Sequence, residues 1–169
     1  MNAPIEKVWE AHGLKCIVKA TDMGHRCGYV MVPKGHPWHG LNYSDCVPLA
    51  KVDMERPIGS AIMPVVIRAM TPDSETAGGE RLDVLVEVHG GLTYSGETDM
   101  DDGSGKGWWL GFDCAHCYDS PDAAIMSPGF NGMLDRSGGH VWLLHEVIGE
   151  TENLARQVAQ RRGAHEATP

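Results

Sequence analysis

Apolar and polar positions alternate most cleanly over 82–89 (LDVLVEVH), where Leu82, Val84, Val86 and Val88 interleave with Asp83, Leu85, Glu87 and His89. A period of two places the two sets on opposite faces of a pleated strand. The segment therefore predicts a strand, broken by Gly90-Gly91 and resumed over Leu92-Thr93-Tyr94. The stretches 14–21 (LKCIVKAT) and 26–33 (RCGYVMVP) flank the turn Asp22-Met23-Gly24-His25. Their β-branched residues predict a hairpin that Pro33 closes. Residues 107–113 (GWWLGFD) predict a further strand, and 62–70 (IMPVVIRAM) an edge strand carrying Pro64.

Elsewhere the period is nearer 3.6. Leu144, Val147, Ile148, Leu154, Ala155 and Val158 fall on one face, with Thr151 bridging the stripe. That pattern predicts a long helix over 140–162, ended by Gly163. Ile5, Val8 and Trp9 predict a short helix within 1–12, ended by Gly13. The acidic run 97–106 (ETDMDDGSGK) reads as a mobile hairpin loop. The proline- and glycine-bearing stretch 120–139 reads as a long loop of the kind that serves as a lid. The predicted class is α+β: an antiparallel sheet of four to five strands, one long C-terminal helix packed on a face, and long loops. A single domain over 1–163 and a frayed tail over 164–169 are expected.

Length and charge narrow the picture. A domain of 169 residues can bury about 70% of its unfolded surface, so it needs no disulfide or metal to hold together. A net charge of −9 opposes binding to nucleic acid or an anionic membrane. A small-molecule ligand remains the expected partner, since one local pocket can oppose the global sign. Five cysteines without an apolar leader or membrane span predict reduced thiols and a cytoplasmic location.

The candidate chemistry concentrates in 107–119, where an apolar strand runs into Asp113, Cys114, His116, Cys117 and Asp119. Titratable groups crowded at a strand end mark a site. His89, at the end of the alternating strand, meets Gly90 and Gly91, whose amides suit an oxyanion. If 82–89 pairs with 107–113, His89 and Asp113 form an Asp–His couple that fixes a tautomer. His116 is a second acid–base group, and Cys114 a nucleophile if its thiolate is stabilised. Tyr29, His36, Tyr94 and Trp108 supply ring faces and polar tips for a ligand. No metal site is assigned. Zinc on His89, Cys114, His116 or Cys117 is a minor alternative, because Cys114-Ala115-His116-Cys117 lacks a second cysteine pair at similar spacing. Asp99-Met100-Asp101-Asp102-Gly103 lacks the twelve-residue calcium spacing and reads as a solvated turn.

Three motifs carry a resemblance. Gly28-Tyr29-Val30 with Pro33 and Gly35-His36-Pro37, then Val88-His89-Gly90-Gly91-Leu92-Thr93-Tyr94, then Trp108-Trp109-Leu110-Gly111-Phe112-Asp113-Cys114-Ala115-His116 resemble a family of small bacteriophage and prophage proteins. The C-terminal helix, with Glu146-Val147-Ile148 and Leu154-Ala155, is also similar. The chain departs from that family's pattern at His39 and Cys117, which removes both from any shared functional set. The resemblance implies a phage setting, hence a host cytoplasm, and brings little chemistry.

Three functions are compatible with these residues. The first is a small-molecule site at strand ends, with hydrolysis by His/Asp acid–base chemistry. The second is a non-catalytic protein that sequesters a small host signalling nucleotide, with its pocket at a homo-oligomer interface. The third is a structural or host-protein-interaction factor. Arginine and lysine are scarce in the motifs, with Arg26 and Lys34 nearest, which counts against a multiply charged phosphate ligand.

Overall fold

A computed structural model describes residues 4–48, 79–130 and 138–166. Five antiparallel strands form the main sheet in the order β1-β2-β3-β7-β6. They are β1 (Ile5–Ala11), β2 (Leu14–Ala20), β3 (Arg26–Val32), β6 (Tyr94–Asp99) and β7 (Lys106–Asp113). Two small ladders accompany them: β4 (Cys46–Pro48) with β5 (Gly79–Arg81), and the parallel pair β8 (Asp119–Ser120) with β9 (His140–Val141). The long helix Leu144–Glu166 lies against β2 and β3. The class is α+β, as the periodicities predict.

One face of the sheet makes the main core. Cys16 and Val18 of β2, Val30 and Val32 of β3, and Leu110 and Phe112 of β7 pack with Val147, Leu154, Ala155 and Val158 of the helix. Gly28 sets the closeness of this packing, since a Cβ there would overlap Thr151 Oγ1 and the Phe112 ring. The Thr151 hydroxyl meanwhile donates to the Val147 carbonyl at 2.7 Å, so the polar residue in the apolar stripe is satisfied within its own helix. The opposite face carries a second cluster of Ile17, Trp109 and Met100, with Tyr29, Met31 and Tyr94 beside it.

Several expectations are corrected. Residues 5–11 form an edge strand and not a helix. His12 and Gly13 both have positive φ (53° and 71°), the backbone that a tight two-residue hairpin requires, so Gly13 turns the chain into β2. Residues 82–89 are not a ladder strand: Leu82–Leu85 is a single helical turn, Val86 is extended, and 86–88 joins no ladder. The amides of Leu82 and Asp83 donate to the carbonyls of Asp45 and Tyr43, which takes them out of any ladder. Positions of both parities are consequently buried, Asp83 and Leu85 among them.

The sheet strand after the double glycine runs from Tyr94 to Asp99 and pairs with β7. The acidic hairpin is docked against the sheet. Met100 is 4% exposed in the second cluster, and Asp102 bonds Lys15 at 2.7 Å. The C-terminal helix starts at Leu144, because His140 and Val141 are held in the parallel ladder with β8. It continues through Gly163 to Glu166. Glycine in helical backbone costs roughly 1 kcal/mol relative to alanine, too little to stop a helix by itself. The stretch 120–130 holds β8 and a 3-10 turn at Pro128–Phe130. The expected strand over 62–70, and residues 131–137 of the expected lid, lie outside the described residues. Among the described residues no helix is long and apolar enough to cross a membrane.

Candidate functional site

Asp119 organises the site. Its side chain is 3% exposed, which would be costly for a carboxylate without partners. Three donors meet it. His89 Nε2 and the His116 amide reach Oδ2 at 2.7 and 2.9 Å, and the Trp142 indole N–H reaches Oδ1 at 3.0 Å. Burial pushes this carboxyl upward, but the hydrogen bonds from His89, His116 and Trp142 outweigh it and hold it below its ordinary value. Asp119 is therefore a carboxylate at neutral pH.

Local backbone geometry explains how it gets inside. The Asp119 amide donates to the His116 carbonyl at 3.0 Å, closing a four-residue turn. Tyr118, third in that turn, takes φ 73°, and its carbonyl accepts the His140 amide at 2.7 Å as the β8–β9 ladder begins. The turn and ladder aim Asp119 inward and leave Tyr118 89% exposed.

His89 is held from three sides. Its amide donates to Glu150 Oε1 of the long helix at 2.6 Å. Its ring lies 4.3 Å from the Trp142 ring at 39°, and 5.3 Å from the His116 ring nearly edge-on. With Nε2 on Asp119, Nδ1 is the open nitrogen of a ring that is about a quarter exposed (24%). Trp142 is itself anchored, because its carbonyl accepts Arg26 Nη1 at 2.9 Å. Arg26 is buried and also bonds Glu6 of β1 and Asp122.

Gly90 lies between the two histidines. The Gly91 amide donates to the Val88 carbonyl, closing a turn in which Gly90 has φ 67°. A Cβ on Gly90 would occupy the place of His116 Nε2, so only glycine fits. The Gly91 amide is thus committed to its turn. The Gly90 amide makes no hydrogen bond among the described residues.

The remaining expected site residues divide clearly. Asp113 and His116 come together, with Oδ1 and Nε2 3.6 Å apart. Asp113 does not pair with His89, whose segment joins no strand of the sheet; it also accepts the Ala115 amide as a turn cap. Cys114 is 1% exposed and its carbonyl bonds His25 Nδ1. Burial first, then the neighbouring Asp119, pushes its thiol up, opposite to what a nucleophile requires. Tyr29 and Tyr94 pack edge-to-face at 5.5 Å in the second cluster, on the face away from the long helix.

Trp108 lies five residues before Asp113 on β7, about 17 Å along an extended strand, and contacts His39. His36 is buried. Its Nε2 donates to the Val158 carbonyl at 2.9 Å and its Nδ1 accepts the Trp38 amide, so it fastens its loop to the long helix. Among the described residues no group of three or more His, Cys, Asp or Glu side chains could hold a metal ion, so the zinc alternative finds no ligand set.

Asp119, Trp142 and Glu150 are the residues that sequence reasoning missed. Asp119 sits in the reactive run 113–119, yet Asp113 draws attention by ending the strand. Trp142 and Glu150 carry no local signal, because their roles depend on where the helix docks. No family model, curated protein or solved structure matches this chain.

Proposed function

We propose that this chain is a phage-type hydrolase whose small-molecule site uses the His89–Asp119 pair as general base. The observation that carries the reading is a buried carboxylate with three donors orienting an imidazole whose other nitrogen is open. Asp119 fixes the proton on Nε2 and stabilises the imidazolium formed when Nδ1 takes a proton from water. The uncommitted Gly90 amide, next in the chain to this base, supports the reading as a donor for a developing oxyanion.

The electrostatics favour an uncharged ester or amide over a nucleotide. Asp113, Asp119 and Glu150 would all face an incoming phosphate. Arg26, which reaches the region through Trp142, is committed to Glu6 and Asp122. Hydrolysis of p-nitrophenyl acetate by the full chain tests the reading. His89→Ala is expected to lower the rate above background by 10²-fold or more, a usual contribution of a positioned base. Asp119→Asn is expected to lower it by at least ten-fold. A folded His89→Ala protein that turns over like wild type would sink the proposal.

A further inference from the structure

Behind His116 stands a second carboxylate, and its geometry echoes the first pair. His116 Nε2 is buried with no hydrogen-bond partner and faces Asp113 Oδ1 at 3.6 Å. A buried ring nitrogen without a partner calls for an explanation. Catalytic hydrogen bonds are often long before substrate arrives and tighten in the complex. With Nε2 enclosed by Gly90 and directed at Asp113, Nδ1 is the open nitrogen of a ring 27% exposed. Both imidazoles thus have a carboxylate within reach of Nε2 and an Nδ1 with no hydrogen bond among the described residues, with ring centroids 5.3 Å apart.

We infer that His116, oriented by Asp113, is the general acid that complements His89. The inference rests on the hydrolytic reading and extends it to the leaving group. The ionisable groups in contact with the pair are Asp119 and Glu150 at His89 and Asp113 at His116, with His140 across Trp142.

In the reaction, His89 Nδ1 removes a proton from water while the water oxygen bonds to the carbonyl carbon. The resulting oxyanion meets the Gly90 amide. The bond to the leaving oxygen then breaks, and His116 Nδ1–H protonates that oxygen. One ester and one water become one acid and one alcohol. His89 is left protonated and His116 neutral, and one proton passed between them through solvent restores the start.

Leaving-group dependence tests the assignment. p-Nitrophenolate departs without protonation, whereas benzyl alcoholate needs it. His116→Ala is expected to slow benzyl acetate hydrolysis 10²-fold or more and p-nitrophenyl acetate hydrolysis less than ten-fold. Loss of His116 for merely structural reasons would slow both alike. Equal effects on the two esters, or none on either, overturn the acid role while leaving the His89 base intact. If wild type hydrolyses neither ester, the hydrolytic reading and this inference fall together.

Discussion

Replacing Gly90 by alanine tests the construction of the site without any assumption about its substrate. Two separable penalties are expected. The first is conformational: Gly90 has φ 67°, and an L-residue in left-handed backbone costs about 1 kcal/mol. The second is steric. The new Cβ would overlap His116 Nε2, Cδ2 and Cε1, so the imidazole must leave its place. Its displacement breaks the edge contact with His89 and loosens a packed turn, for which about 1–2 kcal/mol is a reasonable magnitude. The sum is about 2–3 kcal/mol, roughly a 5–10 °C fall in melting temperature for a domain of this size.

A double-mutant cycle separates the two penalties. In the His116→Ala background the steric part is gone, and Gly90→Ala should then cost only about 1 kcal/mol. Urea unfolding followed by tryptophan fluorescence gives all four stabilities. A coupling of about 1–2 kcal/mol, in the sense that removing His116 rescues Gly90→Ala, is the expected result. Additivity within about 0.3 kcal/mol would refute the packing of His116 on Gly90, and the paired arrangement of the two imidazoles with it.

Two further tests address the cysteines and the acidic hairpin. Cys46 and Cys117 are exposed, Cys27 is half-buried with its thiol pushed up to about 11, and Cys16 and Cys114 are buried. Titration with an aromatic disulfide reagent should therefore find two fast thiols in the native protein and five after unfolding; a fast Cys114, identified by peptide mapping, would contradict its burial. Bonds from Lys15 and Ser104 hold the Asp102 carboxyl down at about 2, against an ordinary 3.8. A depressed folded value means stability that is present above about pH 4 and lost as pH falls toward 2. The urea midpoint of Asp102→Asn should therefore be lower than wild type at pH 6 and converge with it near pH 2, and parallel pH curves would remove the assignment.

The legible parts of this fold are those set by local pattern. β2, β3 and β7 follow from β-branched and aromatic runs between turns, and the long helix from its 3.6-residue stripe. The segment 82–89 misled because alternation also arises when a helical turn and an extended stretch each bury what they can. Asp83 is kept inside by Arg81, a neighbour two residues away that no periodicity weighs. Residues 5–11 misled because Trp9 and Val8 fit either period. The positive-φ pair His12-Gly13 turns the chain back into β2, so Gly13 closes a hairpin and stops no helix. At the site, His89 and His116 were legible as residues that favour acid–base chemistry. Their carboxylates are not legible, because Asp119 reaches His89 through a turn and residues 82–89 join no strand of the main sheet.

The long-range links show why such a site could be found only in part from sequence. Arg26 on β3 bonds Glu6 on β1, Asp122 in the loop after β8, and the carbonyl of Trp142. Trp142 in turn bonds Asp119 and stacks on His89, and Glu150 of the helix holds the His89 amide. The orientation of one imidazole thus depends on contacts between residues up to 116 positions apart. Removing Arg26 would leave the half-buried carboxylates of Glu6 and Asp122 without their cation, and the loss would reach Asp119 through Trp142. The core and the site are therefore not separate structures. The same docking of the long helix on β2 and β3 that buries Val147 and Leu154 also brings Glu150 to His89.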